Sequence, residues 1–244
     1  SCNIGEELAR IVRERSVDWP GVSLEIEPVR DYPTGSLTAN IIGYLGPISA
    51  SQQTAYEERG FVTNRDKIGY AGVETSMDDI LLGKNGLRVI QEDVAGEELR
   101  NLEPPIPPTP GYNVTLTIDT RLQKVAEASL IDEINFWNTR LEAARRISSG
   151  VVIAMNPKTG EILAMVSYPT YENNRLARFI PGYYYNQLAQ DPRRPLVNNA
   201  ISAELAPGST FKLSTATGAL NEGVIKVGQI VKTPGRLFLC ERFR

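Results

Sequence analysis

Ser209 and Lys212 stand three residues apart in the run PGSTFK, directly after Pro207-Gly208. They head a stretch that reads as a helix from about Ser209 to Glu222, closed by Gly223. Residues three apart share a helix face, so a lysine amine there reaches the serine hydroxyl. A helix N-terminus offers unpaired N–H groups and the positive end of the dipole, which stabilise a developing anion. The same field loosens the proton of a desolvated lysine, and only the neutral amine serves as a base. The pair therefore has the makings of a nucleophile and its base for acyl transfer. The bare S-x-x-K pattern is weak evidence, since a chain of this composition yields about 0.4 of it by chance. An N-capping serine beside a solvated lysine is its ordinary meaning.

Other chemistries fall away on composition. The 244 residues contain no histidine, which removes His-based triads, His general bases and His metal ligands. Cys2 and Cys240 lie at opposite ends and give neither a metal-ligand spacing nor a C-x-x-C redox pair. A formal net charge of -3 argues against a dedicated nucleic-acid binder. No run approaches the roughly 18 apolar residues of a spanning helix. Residues 1–20 read as a short amphipathic helix, with Leu8, Ile11 and Val12 among charged neighbours. Residues 236–244 read as a strand being entered with nothing to close it, so the chain is expected to stop inside a domain.

The elements that must position Ser209 follow a sharp composition break. Pro104, Pro105, Pro107, Pro108 and Pro110, then Gly111, favour an extended segment and mark a boundary between residues 1–110 and 111–244. Before it, residues 36–45 and 87–94 read as short strands and residues 50–60 as a helix. After it, residues 113–118 alternate like a strand, and Asp119 caps a helix running to about residue 146. Residues 151–155 and 161–167 flank the turn-forming Asn156-Pro157-Lys158-Thr159-Gly160 and predict a β-hairpin. Residues 168–200 read as a long ordered loop with short helices. The whole predicts an α+β fold.

Five stretches, in one order, resemble the class B penicillin-binding proteins, and within them the elongation-type branch. They are IGYAGVETSMDDILLGKNGLRVIQEDVAG at 68–96, LTIDTRLQKVAEASL at 116–130, GVVIAMNPKTGEILAMVSYPTY at 150–171, DPRRPLVNNAI at 191–201 and LAPGSTFKLSTATGALNEGVI at 205–225. The resemblance implies part of a non-catalytic, dimerisation-type pedestal over residues 1–110. Residues 111–244 become the N-terminal part of a penicillin-binding transpeptidase domain, a sheet flanked by helices. Ser209 then resembles the serine acylated by the D-Ala-D-Ala end of a peptidoglycan stem peptide, or by a β-lactam. Lys212 resembles the lysine that takes its proton, and the Ser209 N–H one oxyanion donor. The implied partners are lipid-linked peptidoglycan, β-lactams and membrane proteins of cell-wall elongation, a glycosyltransferase among them, with no nucleic acid, metal or organic cofactor. The implied location is the outer face of the bacterial cytoplasmic membrane, anchored by a helix upstream of residue 1.

The family also needs an S-x-N and a K-T-G or K-S-G after the serine. Lys158-Thr159-Gly160 precedes it and reads as a hairpin turn. Lys232-Thr233-Pro234-Gly235 is interrupted by proline, and Ser1-Cys2-Asn3 lies in the wrong place. Ser209 in this chain is therefore expected to acylate poorly. Three other readings remain: a serine β-lactamase, a β-lactam sensor, and a non-catalytic interaction module. Tyr183-Tyr184-Tyr185 read as loop packing, Asp119 and Glu161 as cap and turn residues, and Arg145 and Arg146 as a solvated helix face.

Overall fold

The computed structural model describes residues 4–15, 18, 19, 22, 24, 29–63, 65–93, 98–142, 146–177, 180–204 and 206–230. It divides into two compact units, Ser1–Ser202 and Ala203–Arg244.

The first unit opens with α1 (Glu6–Glu14), which has Glu6 and Glu7 in its first turn and Arg13 in its last, matched to the helix dipole. A 3-10 turn (Gly35–Thr38) then runs into α2 (Ala39–Ile42). The expected strand over 36–45 is thus a correction, for only its last residue enters β1 (Leu45–Pro47). A short apolar run cannot be told from a buried helix by periodicity alone, and here the helical turns win. Strand β1 pairs antiparallel with β2 (Lys67–Gly69), and α3 (Gln53–Glu57) lies within the expected helix at 50–60. Next come α4 (Gly72–Ser76) and α5 (Asp78–Leu81), then the antiparallel pair β3 (Ile90–Glu92) and β4 (Glu98–Asn101). The proline-rich segment folds back along residues 84–87. The Ile106 N–H donates to Leu87 O and the Thr109 N–H to Lys84 O, each from a position that still has an N–H to give.

Residues 113–118 form no strand, a second correction. They join the hairpin at its edge through the Asp119 N–H on Leu163 O and the Thr117 hydroxyl on Ile162 O. Helix α6 (Thr120–Asn138) follows, capped as expected by the Asp119 carboxylate, which accepts from the N–H groups of Arg121 and Leu122. It ends eight residues short of the expected 146 because the Asn138 carboxamide both accepts from Ile147 N and donates to Ile147 O, turning the chain back. The hairpin forms as β5 (Gly150–Met155) and β6 (Ile162–Tyr168), antiparallel with Val152 opposite Val166. Helices α7 (Gly182–Gln190) and α8 (Asn199–Ser202) occupy the following loop.

Helix α6 packs on the hairpin through Ile134, with Ala164 and Val166 buried in β6. A second cluster joins Ala39 and Tyr44 to Tyr171, Leu176 and Tyr184. Tyr44 and Tyr171 meet edge to face at 5.8 Å and 85°. The core thus draws on residues from both sides of the proline-rich segment.

Candidate active site

In the second unit, Pro207 leads into a 3-10 turn (Gly208–Phe211), from which α9 (Lys212–Asn221) continues. The turn is fixed by the Thr210 hydroxyl donating to Pro207 O at 2.5 Å. The Lys212 N–H reaches Ser209 O and Thr210 O, joining the two helical segments. Gly223 ends the run with φ 68°. Ser209 therefore sits in the opening turn and Lys212 at the first residue of α9, both exposed to solvent. In 3-10 geometry side chains three apart eclipse one another, which stacks this pair more directly than an α-helix would. Among the described residues no hydrogen bond joins the Ser209 hydroxyl to the Lys212 amine. The arrangement offers an accessible hydroxyl, an amine one turn away and a helix opening whose first amides lack intrahelical partners. Those are the parts a serine acyl transfer uses.

Lys158-Thr159-Gly160 lies in the turn between β5 and β6. The Asn156 side chain accepts from Lys158 N, the Thr159 hydroxyl donates to Glu161, and Gly160 donates to Asn156 O. Glu161 and Asp119 are turn and cap residues. Hydrogen bonding from the Arg121 side chain, then from backbone amides, draws the Asp119 carboxyl down to about 2. The tyrosine run divides: Tyr184 is buried and accepts from Glu172 N, while Tyr183 is 70% exposed. Arg146 is exposed, whereas Arg145, Cys2, Cys240 and the stretch from Lys232 onward lie outside the described residues. Among the described residues no cluster of three His, Cys, Asp or Glu side chains forms.

Buried carboxamides that position the hairpin escaped the sequence reading. Gln123 is 2% exposed and donates to Leu37 O and Met165 O while accepting from Met165 N. A signal was present, because Gln123 falls in helical register with Ala126, Leu130 and Ile134 on the buried face. Leu122 and Val125, apolar residues of the same helix, are exposed.

The chain belongs to the penicillin-binding proteins. Residues 1–116 match the penicillin-binding protein dimerisation domain and residues 150–238 the penicillin-binding protein transpeptidase domain. Within that family the chain is similar to peptidoglycan D,D-transpeptidase MrdA of Acinetobacter baumannii, at 34% identity over 221 residues, 91% of this chain and 30% of that protein. Its fold is similar to PBP2 in the complex of PBP2 with MreC from Helicobacter pylori, with a TM-score of 0.74 and 24% identity, over 98% of this chain and 41% of that one. It is also similar to a chain of a peptidoglycan synthase complex described as coordinating polymerization and crosslinking. There the TM-score is 0.72 and the identity 32%, over 93% of this chain and 38% of that one. The chain spans about a third of the length of the curated relatives it matches. Among the described residues no helix is long and apolar enough to cross a membrane.

Proposed function

We propose that this chain is part of a peptidoglycan D,D-transpeptidase of cell-wall elongation, with Ser209 as nucleophile and Lys212 as its base. The observation that carries the reading is the exposed Ser209 in the opening turn of a helix that begins at Lys212, within residues matching a transpeptidase domain. The Lys212 amine takes the Ser209 proton as Oγ attacks the carbonyl of the penultimate D-Ala. The tetrahedral oxyanion is held by helix-opening amides, the Ser209 N–H among them. Collapse breaks the peptide bond and releases terminal D-Ala with a proton. An amine from a neighbouring stem peptide then attacks the acyl-enzyme ester, forming the cross-link and returning the serine. A β-lactam enters the same first step and stops there.

We further place the divide between pedestal and transpeptidase portions at the proline-rich segment, residues 1–110 and 111–244. The reading implies action at the outer face of the cytoplasmic membrane on lipid-linked peptidoglycan. The partners are membrane proteins of the elongation machinery, a glycosyltransferase among them. That assignment is supported by similarity to a PBP2 solved with MreC and to a chain of a peptidoglycan synthase complex. The test is to supply the full-length protein with polymerised peptidoglycan and measure cross-linked muropeptide dimers by mass spectrometry. Dimers that vanish with Ser209→Ala are expected; dimers that persist would overturn the assignment.

A further inference from the structure

Residues Tyr32–Gly43 fall within the dimerisation-domain match, yet their polar partners lie largely beyond the proline-rich segment. Asn174 pairs with Tyr32 in both directions, its Oδ1 accepting from Tyr32 N at 2.9 Å and its Nδ2 donating to Tyr32 O at 2.8 Å. Gln123 spans from Leu37 O, at 3.1 Å, to both backbone groups of Met165 in β6, at 2.8 Å each. The Asn40 amide donates to Ser167 O, and that of Asn198 donates to Asn40 O. Asn173 donates to Gly43 O. On the other side the same segment is fixed to the pedestal. The Tyr70 N–H donates to Tyr44 O, and a Cβ on Gly43 would overlap the backbone of Ala71, as one on Gly72 would that of Ile41 and Ile42.

Every one of these carboxamide contacts is uncharged. A carboxamide is donor and acceptor at once, so it satisfies buried backbone groups without the desolvation cost that an ion pair carries. A joint built this way is also indifferent to pH and salt over the range in which proteins work.

We infer that residues 32–43 are a coupling element, pinned to β6 by Gln123 and Asn40 and to the turn at residues 173–175 by Asn174, through which a displacement of the pedestal strands reaches β6. The inference rests on the two domain matches and not on Ser209, so a failure of the acylation assignment leaves it standing.

The test is hydrogen exchange, followed by mass spectrometry on the whole chain, in Gln123→Glu, Asn40→Asp and the exposed control Gln187→Glu. At neutral pH the Gln123→Glu carboxylate has no hydrogen for Leu37 O or Met165 O. Peptides covering residues 32–43 and residues 162–168 then exchange together, at least about tenfold faster than in the parent, the ratio that 1.4 kcal/mol gives. At about pH 4 the protonated acid restores a donor, and the difference from the parent at that pH shrinks. Asn40→Asp, which loses the donor to Ser167 O, loosens the same two segments, and it carries the test if Gln123→Glu does not fold. Faster exchange confined to one of the two segments, an equal effect from Gln187→Glu, or no recovery in acid would overturn the inference.

Discussion

Arg30 holds Glu74 through two nitrogens, Nε on Oε1 at 2.7 Å and Nη2 on Oε2 at 2.8 Å, while the Glu74 side chain is only 5% exposed. The Tyr32 hydroxyl donates to the same Oε1 at 3.3 Å. One carboxylate in α4 thereby fixes the chain that leads into residues 32–43. Arg30→Ala strands that carboxylate in a buried site with one neutral donor left. Because the Arg30 side chain is 40% exposed, the cost is expected toward the lower end for a broken buried pair, about 3 kcal/mol. Glu74→Gln removes the buried charge and leaves Arg30, which still reaches solvent, and so costs less. Urea unfolding midpoints of the two variants check the order; equal losses would show that the buried charge is not what matters.

A second expectation concerns alkaline pH. Burial, more than any neighbouring charge, pushes the Tyr44 and Tyr56 hydroxyls up to about 12, and it raises those of Tyr32 and Tyr171 as well. A hydroxyl whose folded value lies above its unfolded value, near 10, contributes stability that is fully present below pH 10. That contribution is lost as pH rises from 10 through the folded values. Absorbance titration should therefore show a late-ionising class among the 10 tyrosines, which merges with the rest when urea unfolds the chain. A single class near 10 in the folded protein contradicts the packing described.

Gly43 and Gly72 cross backbone to backbone, both at positive φ, 87° and 57°. Gly43→Ala meets the Ala71 carbonyl and a disfavoured conformation together. It should destabilise by more than the roughly 1 kcal/mol of an ordinary incompatible Gly→Ala change. Gly160→Ala, with φ 79° but open space around it, should cost less. Thermal melts of the two variants separate the contributions of clash and conformation.

Much of the fold was legible because the determining forces were local. The hairpin followed from two β-branched runs about a turn cluster, the α6 start from Asp119, and the opening of α9 from Pro207-Gly208. What escaped was set at long range. Residues 36–42 form helical turns whose Asn40 meets Ser167, 127 residues on, and 113–118 reach β6 through the Thr117 hydroxyl on Ile162 O without forming a strand. The stop at Asn138 depends on Ile147, nine residues on. The candidate site was legible as a pair, since Ser209 and Lys212 are neighbours in sequence. The carboxamide joint was not, as its partners lie up to 158 residues apart.

The account stands or falls on where the protein becomes acylated. The measurement is intact mass of the full-length protein after exposure to a penicillin, followed by peptide mapping, alongside Ser209→Ala and Lys212→Gln. The account predicts one adduct, located on Ser209, absent from Ser209→Ala, and formed about 10²–10⁴-fold more slowly in Lys212→Gln. An adduct mapped to another residue, or one that survives Ser209→Ala, would contradict it.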